Sequence, residues 1–171
     1  LVVMSSGEMT FAKSMTLKSA TSDLVIASQK NIVMDGVSMD VSQEAAIRGM
    51  RDISLNNVEI GANSMATIKA SRNLNVDGLT FSRAVSSILM EATTIRLSNV
   101  NFPINSAVRL NSLKGPIDGK YPNFGSAITA AQQIGRVNFI KNVSSGGNTL
   151  NTRQAFDQYG NNITIGKIAK P

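Results

Sequence analysis

The sequence contains no cysteine, no histidine and no tryptophan, and aromatic residues make up only 5% of its 171 residues. Without cysteine there can be no disulfide and no thiolate metal site, and cysteine usage does not indicate a redox compartment. Without histidine, Ser-His-Asp and Cys-His catalysis and histidine-ligated zinc sites are excluded. The apolar runs are also far shorter than the roughly 20 residues that a membrane-spanning helix needs. These absences predict a protein with no bound metal, no cofactor and no membrane span.

The most informative feature that is present is a 21-residue repeat. Four segments share a pattern of two apolar-polar-apolar triplets separated by a pair of turn residues: Ile32–Met39, Ile53–Ile60, Leu74–Phe81 and Ile95–Phe102. Strict alternation is typical of β-strands. The turn pairs contain Asp, Asn, Ser and Gly, and of these Gly and Asn tolerate a positive φ. A repeat of this length predicts stacked units, none of which buries its apolar face alone.

A third strand recurs in the same phase and argues against an antiparallel meander, the alternative that an Asp-Gly pair between strands allows. Its second inward position is occupied by Ile26, Ile47, Ile68, Leu89 and Leu110. Three short strands per coil predict an all-β fold, a three-sided parallel β-helix of about five coils and roughly 24 Å in length. The crossover rule favours a right-handed coil. Leu1 already falls on an inward strand position, with no capping helix before it.

The 21-residue phase ends and the composition shifts near residue 112, which divides the chain into a solenoid, 1–112, and a C-terminal capping or assembly segment, 113–171. In the second part, the pattern of Ser126–Ile134 predicts a short helix between two glycines. Such a helix would cover the open sheet edge of the last coil. Val137–Val143 and Asn162–Ile168 predict extra strands.

The solenoid resembles the β-helical stalks of bacterial surface proteins, such as autotransporter passengers and filamentous-haemagglutinin-type adhesins. The resemblance covers roughly residues 1–112 and rests on the coil pattern with its Asp, Asn and Gly corners. Gly115–Pro122, Arg136–Ile140 and Gly146–Asn148 are similar to C-terminal segments of large Asn/Gly-rich bacterial envelope proteins. Both resemblances imply an exported structural or adhesive protein, located outside the cell or on its surface.

One corner of the predicted coil carries cations in register. Lys30, Arg51 and Arg72 fall one per coil, and Arg48 and Lys69 form a second row three positions earlier. Stacked like charges repel unless something anionic lies beside them. The row therefore either binds an anionic polymer (a surface glycan, a lipid headgroup or nucleic acid) or is a solvated corner with its side chains splayed outward, as charge runs usually are. Beside it, the residues at 31, 52, 73 and 94 predict a ladder of side chains that bond to neighbouring backbone.

Catalysis is not expected. Some β-helices are polysaccharide lyases or hydrolases, and glycoside hydrolysis needs two carboxylates at a defined separation. No three acidic residues converge on adjacent predicted coils, and corners of five residues or fewer leave no cleft. Specific binding of nucleic acid by base stacking is not expected either, because Phe81 and Phe102 are predicted to face inward and the two tyrosines stand alone.

Self-association is the favoured partner hypothesis. The outward row Val25, Ala46, Thr67 and Ile88 is mostly apolar, which indicates a covered face. The first coil offers an open edge, and a strand donated to it from the next subunit would give a head-to-tail filament. The predicted interface residues are Leu1, Val3, Val25, Ile88, Ile163, Ile165 and Ile168. The sequence thus predicts a structural subunit of a surface fibre or adhesin stalk, with a module that binds an anionic polymer as the alternative and a lyase or hydrolase as the less favoured one.

Overall fold

The computed structural model describes residues 1–103, 107–120, 123–124, 130–139, 143–145, 148–150 and 163–164. Every regular element among them is a β-strand. The strands are β1 (Val2–Ser5), β2 (Met9–Phe11), β3 (Thr16–Ser19), β4 (Leu24–Ser28), β5 (Ile32–Asp35), β6 (Ser38–Val41), β7 (Glu44–Gly49), β8 (Ile53–Gly61), β9 (Met65–Ala70), β10 (Asn73–Phe81), β11 (Ser87–Ala92), β12 (Thr94–Phe102), β13 (Ala107–Lys120), β14 (Asn123–Phe124), β15 (Ala130–Phe139), β16 (Val143–Ser145), β17 (Asn148–Leu150) and β18 (Ile163–Thr164).

The strands wind into a three-sided parallel β-solenoid, as the repeat predicts. One coil consists of β4, β5 and β6, and its equivalents one coil later are β7 and the two halves of β8. Ile53 pairs with Ile32 on one side and with Leu74 on the other, so a 21-residue step separates successive coils at this position. About five such coils are stacked, and each strand lies parallel to its equivalents above and below.

The core lies inside the coils, because alternate residues of every strand point inward. In β8, Ile53, Leu55 and Ile60 are fully buried, whereas Ser54 is half-buried and Glu59 is exposed. The predicted alternation is therefore confirmed for this coil. A shift of one residue would place every apolar side chain of the strand in solvent, so the buried face fixes the register strongly.

One corner of each coil requires left-handed backbone. The second residue of every turn pair has a positive φ: +64° at Gly36, +49° at Asn57, +78° at Gly78 and +51° at Asn99. Glycine and asparagine are the residues that adopt this conformation at least cost. At Gly78 a Cβ atom would also lie 2.7 Å from Asn57 Oδ1 of the preceding coil. The turn chemistry read from the sequence is thus what lets β5, β8, β10 and β12 stack at this corner.

The first coil is longer than the others, with steps of 23 and 22 residues to the next coil. Within the regular repeat, β11 also departs from the 21-residue step, and the predicted register was wrong there. In β11, Ile88 pairs with Ala66 and Met90 with Ile68, which is one position more than the regular step. Ile88 and Met90 are fully buried, while Leu89 takes the outward position beside Thr67. The corner before β11 holds one residue more than its equivalents, and the corner after it holds one fewer. The flanking strands therefore keep their 21-residue spacing and conceal the slip.

Parallel stacking continues beyond the regular repeat. β13 pairs with β11 and β12 and then with β15, and β14 lies between β12 and β16. The predicted helix over Ser126–Ile134 was wrong for Ala130–Ile134, which belongs to β15; residues 126–129 lie outside the described residues. The free edge of β13 offers backbone partners to this segment, and tertiary pairing of that kind overrides a weak helical pattern.

The last two strands are added in antiparallel orientation. β17 pairs with β16, and β18 pairs with β15 of the same chain, with Ile163 opposite Gln133. A strand is thus confirmed at Ile163 and Thr164, while Ile165 and Ile168 lie outside the described residues. The division of the chain near residue 112 stays a prediction.

Candidate functional site: a cationic corner with an apolar groove

The corner that follows β4, β7 and β9 carries the predicted cations. Arg48 and Lys69 are direct neighbours in the parallel ladder. Arg72 lies one coil from Arg51, since the backbone N–H of Arg72 donates to the carbonyl of Arg51 at 3.1 Å. The structure therefore brings these side chains onto adjacent coils of one corner. That they bind a partner stays a prediction.

Two of the cations have partners within the chain. Arg72 Nε lies 3.8 Å from Asp52 Oδ1, and Lys69 Nζ lies 3.7 Å from Glu91 Oε1. Both pairs are substantially exposed to solvent, so each stabilises the fold by no more than about 1 kcal/mol. Their local effect is to neutralise part of the charge at this corner.

Three of the cations form no ion pair among the described residues. Lys30, Arg48 and Arg51 are exposed. In the part of the chain with described side chains, no carboxylate lies within ion-pair distance of any of the three. Arg48 and Arg51 lie on one coil, and Lys30 lies on the coil before it, about 4.8 Å away, so their mutual repulsion is relieved only by solvent or by an external anion.

A ladder of polar side chains lies beside the cations and is confirmed. Asn31 Oδ1 accepts a hydrogen bond from the backbone N–H of Asp52 at 3.3 Å. Asp52 Oδ1 accepts two from Asn73, from the backbone N–H at 3.1 Å and from Nδ2 at 2.9 Å. Thr94 Oγ1 donates to Asn73 Oδ1 at 2.6 Å, and Asn31 Nδ2 donates to Glu8 Oε2 at 3.1 Å. The ladder ties one coil to the next at the strand starts and so fixes the corner on which the cations are displayed.

An apolar groove runs along the same corner. Its walls include Met4, Met50 and Leu113, which are 74%, 65% and 62% exposed. It consists of two adjoining depressions of about 420 and 390 Å³, both lined by Arg48 and Met50. Alanine and glycine residues of β4, β7 and β9 keep its floor low. We call this feature the methionine groove.

Sequence reasoning missed the methionine groove. Met50 and Leu113 lie three 21-residue steps apart, but Ser71 and Ala92 occupy the two positions between them. Met4 belongs to another row, because it pairs with Ala27, which pairs with Arg48. A signal was nevertheless available in the run Arg48–Arg51. A large apolar side chain at an exposed corner, between two arginines and next to a glycine, is unusual for a corner that is merely solvated.

A second polar cluster serves the fold. Arg83 Nη1 donates to the carbonyl of Val41 at 3.1 Å, and Nη2 pairs with the Asp40 carboxylate. The side chain reaches past one whole coil. In that coil Gly61 lies opposite Asp40, and a Cβ there would lie 2.6 Å from Ser82 Oγ. Arg83 lies in the corner that holds the extra residue before β11. The pair thus ties that longer corner to the rod.

The predicted interface residues differ in their exposure to solvent. Leu1 is 52% exposed although it occupies the position equivalent to the fully buried Leu24. Val3 packs partly against the core, and Val25 is half-buried on the outward side of β4. Ile88 is fully buried, so its assignment to an interface was wrong, and the outward row runs instead through Ala46, Thr67 and Leu89. The side chain of Ile163 lies outside the described residues.

No three His, Cys, Asp or Glu side chains in the described part of the chain are grouped so that they could hold a metal ion. Nor do the described residues include a helix that is long and apolar enough to cross a membrane.

Comparisons of the chain with protein-family models, with curated proteins and with solved structures find no match. The fold is therefore established from the chain itself, as a parallel β-solenoid with 21-residue coils.

Proposed function

We propose that this chain is a non-catalytic structural protein, a subunit or stalk segment of a self-assembling extracellular fibre or adhesin. One observation carries the proposal. The first coil, β1 to β3, pairs on one side with β4 to β6, and its other edge has no partner among the described strands. An open edge of regular strands is a template for the addition of another strand.

The apolar character of this end supports the proposal. Leu1, Val2 and Met4 are exposed. Met9 and Phe11 are 9% and 8% exposed to solvent. Their partners one coil further in, Ile32 and Met34, are fully buried. A further strand stacked on this end would bury these side chains, and full burial of one large apolar side chain contributes about 1.5–3 kcal/mol. Both backbone and side chains of the first coil therefore favour end-to-end contact.

The C-terminal strand β18 is the proposed donor. It pairs with β15 of its own chain through two residue pairs, Gln132 with Thr164 and Gln133 with Ile163. So short a pairing is readily exchanged for an equivalent pairing with a neighbouring subunit, as in domain swapping. A head-to-tail contact of this kind does not close on itself and produces an open filament.

The edge of the first coil offers a direct test. The backbone N–H of Met9 donates to the carbonyl of Asn31 at 2.9 Å, so the N–H of the next residue, Thr10, points to the open edge. Thr10→Pro removes this edge donor without removing a hydrogen bond between the first and second coils. We expect the wild-type protein to form filaments with rising concentration, by light scattering and negative-stain electron microscopy, and the variant to remain monomeric.

Thr10→Val is the matched control, because it keeps the N–H and should assemble as the wild type does. Both variants should show the wild-type thermal unfolding profile at low concentration. A wild-type chain that stays monomeric at millimolar concentration would overturn the proposed function.

A further inference from the structure

We propose that the methionine groove and the cations beside it form a docking site for an acidic, amphipathic peptide segment of a partner protein, bound in an extended conformation along the rod. This site is separate from the open edge of the first coil and does not depend on fibre assembly. The proposal rests on the apolar lining, on the uncompensated charge at the rim and on the shape of the groove.

The lining is the first argument. Met4, Met50 and Leu113 expose most of their surface on one continuous corner, and such exposure is unusual for side chains of this size. Methionine and arginine are both enriched in protein–protein interfaces, and methionine adapts its shape to different apolar partners. Arg48 lines both halves of the groove, so charge and apolar surface meet within one site.

The charge at the rim defines the partner. Arg48 lines the groove, and Lys30 and Arg51 directly follow its lining residues Gln29 and Met50 in the chain. These three cations are exposed, and no described carboxylate lies within ion-pair distance of them, since Glu91 in the groove pairs with Lys69. A partner that supplies carboxylates would neutralise the three charges, and electrostatic attraction would also speed its association. The chain's own C-terminal segment is a poor candidate, because residues 115–171 carry six lysines and arginines against two aspartates.

The chemistry of the groove lining favours an acidic peptide over other classes of anionic ligand. The surface inside both halves is mainly apolar, although serines at 5, 6, 28 and 71 also line it. Most hydroxyls of a sugar would therefore lose their hydrogen bonds to water there without replacement, which is unfavourable. Stacking of nucleic-acid bases requires aromatic side chains, and neither half of the groove is lined by one. An extended peptide that alternates acidic and apolar residues presents one kind to the rim and the other to the groove.

The groove also has a suitable length. It extends from β1, at Met4, to β13, at Leu113. That distance is about five coil spacings, or roughly 24 Å. An extended peptide advances about 3.3 Å per residue, so six to eight residues would fill the groove.

The test is a titration of the full chain with fluorescently labelled octapeptides at low salt. The main probe alternates glutamate and leucine. One comparison peptide alternates glutamate and serine, and another alternates lysine and leucine. We expect the first to bind in a salt-dependent manner, the serine peptide to bind at least tenfold more weakly and the lysine peptide not to bind.

Variants locate the site. Met50→Ser removes an apolar wall and Arg48→Gln removes a charge, and both positions are exposed, so folding should be unaffected. Each should weaken binding of the glutamate–leucine peptide about tenfold. Met15→Ser is the control, since Met15 is also exposed but lies between β2 and β3, away from the groove. Thermal unfolding of all three variants is compared with wild type.

Three results would overturn the proposal. Equal affinity for the glutamate–leucine and glutamate–serine peptides would reduce the site to a charged corner. Tighter binding of polygalacturonate, or of vesicles containing anionic lipid, would assign the corner to a glycan or to a membrane surface instead. Absence of peptide binding at low salt would indicate that the cations are solvated and bind no partner. None of these results would bear on filament formation, which is measured separately with Thr10→Pro.

Discussion

At the scale of single residues, a few polar side chains hold adjacent coils together. Asp52 accepts two hydrogen bonds from Asn73, and its backbone N–H donates to Asn31. Each bond crosses from one coil to the next, so the ladder fixes how the coils stack. Asparagine and aspartate suit this role because a short side chain with an oxygen reaches the backbone of the next strand start.

Replacement of Asp52 by alanine removes the oxygen that accepts both bonds from Asn73. We expect Asp52→Ala to destabilise the protein by about 1–2 kcal/mol. For a domain of this size, that corresponds to a fall in Tm of roughly 3–6 °C, measurable by circular dichroism. Asp52→Asn keeps the oxygen and loses only the exposed pair with Arg72, so it should remain within about 0.5 kcal/mol of wild type. Equal losses in the two variants would show that charge, and not the ladder, stabilises this corner.

At the scale of the strands, alternation determines which residues form the core, and β11 is the informative case. The unbroken 21-residue spacing favours Leu89 as the inward residue, whereas the pairing places Ile88 and Met90 inside. The two registers make opposite predictions for neighbouring substitutions, because a shift of one residue reverses every side chain.

Ile88→Asp should bury an unpaired charge and prevent folding or destabilise it by more than about 4 kcal/mol. Leu89→Asp places the same charge on the half-exposed outward side and should cost less than about 1 kcal/mol. Thermal or urea unfolding of the two variants decides between the registers. Severe destabilisation by Leu89→Asp with a mild effect of Ile88→Asp would restore the register read from the sequence.

The same strand shows what sequence can and cannot specify. Some features could be predicted because they recur in each of the four repeats. They are the 21-residue period, the three strands per coil and the left-handed corner at residues such as Gly78. The one-residue slip at β11 could not be predicted from the sequence. The extra residue in the corner before β11 is offset by a missing residue in the corner after it, so the flanking strands keep their regular 21-residue spacing. The Arg83–Asp40 pair joins residues 43 positions apart, and the methionine groove brings together residues of six coils. Such features depend on stacking across coils, and no single repeat contains them.

At the scale of the whole molecule, the proposed fibre requires the open edge of the β1–β3 coil and the strand β18 to be complementary. The first coil accepts a strand at the edge beside Thr10, and β18 is the strand to be donated. Strand acceptance and strand donation can be removed separately, because the Thr10 edge and β18 lie in different parts of the chain. Thr10→Pro yields a subunit that donates but does not accept, and deletion of residues 160–171 yields one that accepts but does not donate.

Neither variant should form filaments by itself, but an equimolar mixture should form heterodimers and nothing larger. The donated strand of the Thr10→Pro subunit pairs with the open edge of the truncated subunit, and both remaining ends are blocked. Light scattering coupled to size-exclusion chromatography would give the masses of one chain for each variant and of two chains for the mixture. If β18 serves only to cap its own rod, the truncated chain will lose stability or aggregate by itself, and the mixture will contain no dimer. Addition of a small fraction of Thr10→Pro to wild type should shorten filaments in proportion, because each incorporated variant stops growth at its blocked end.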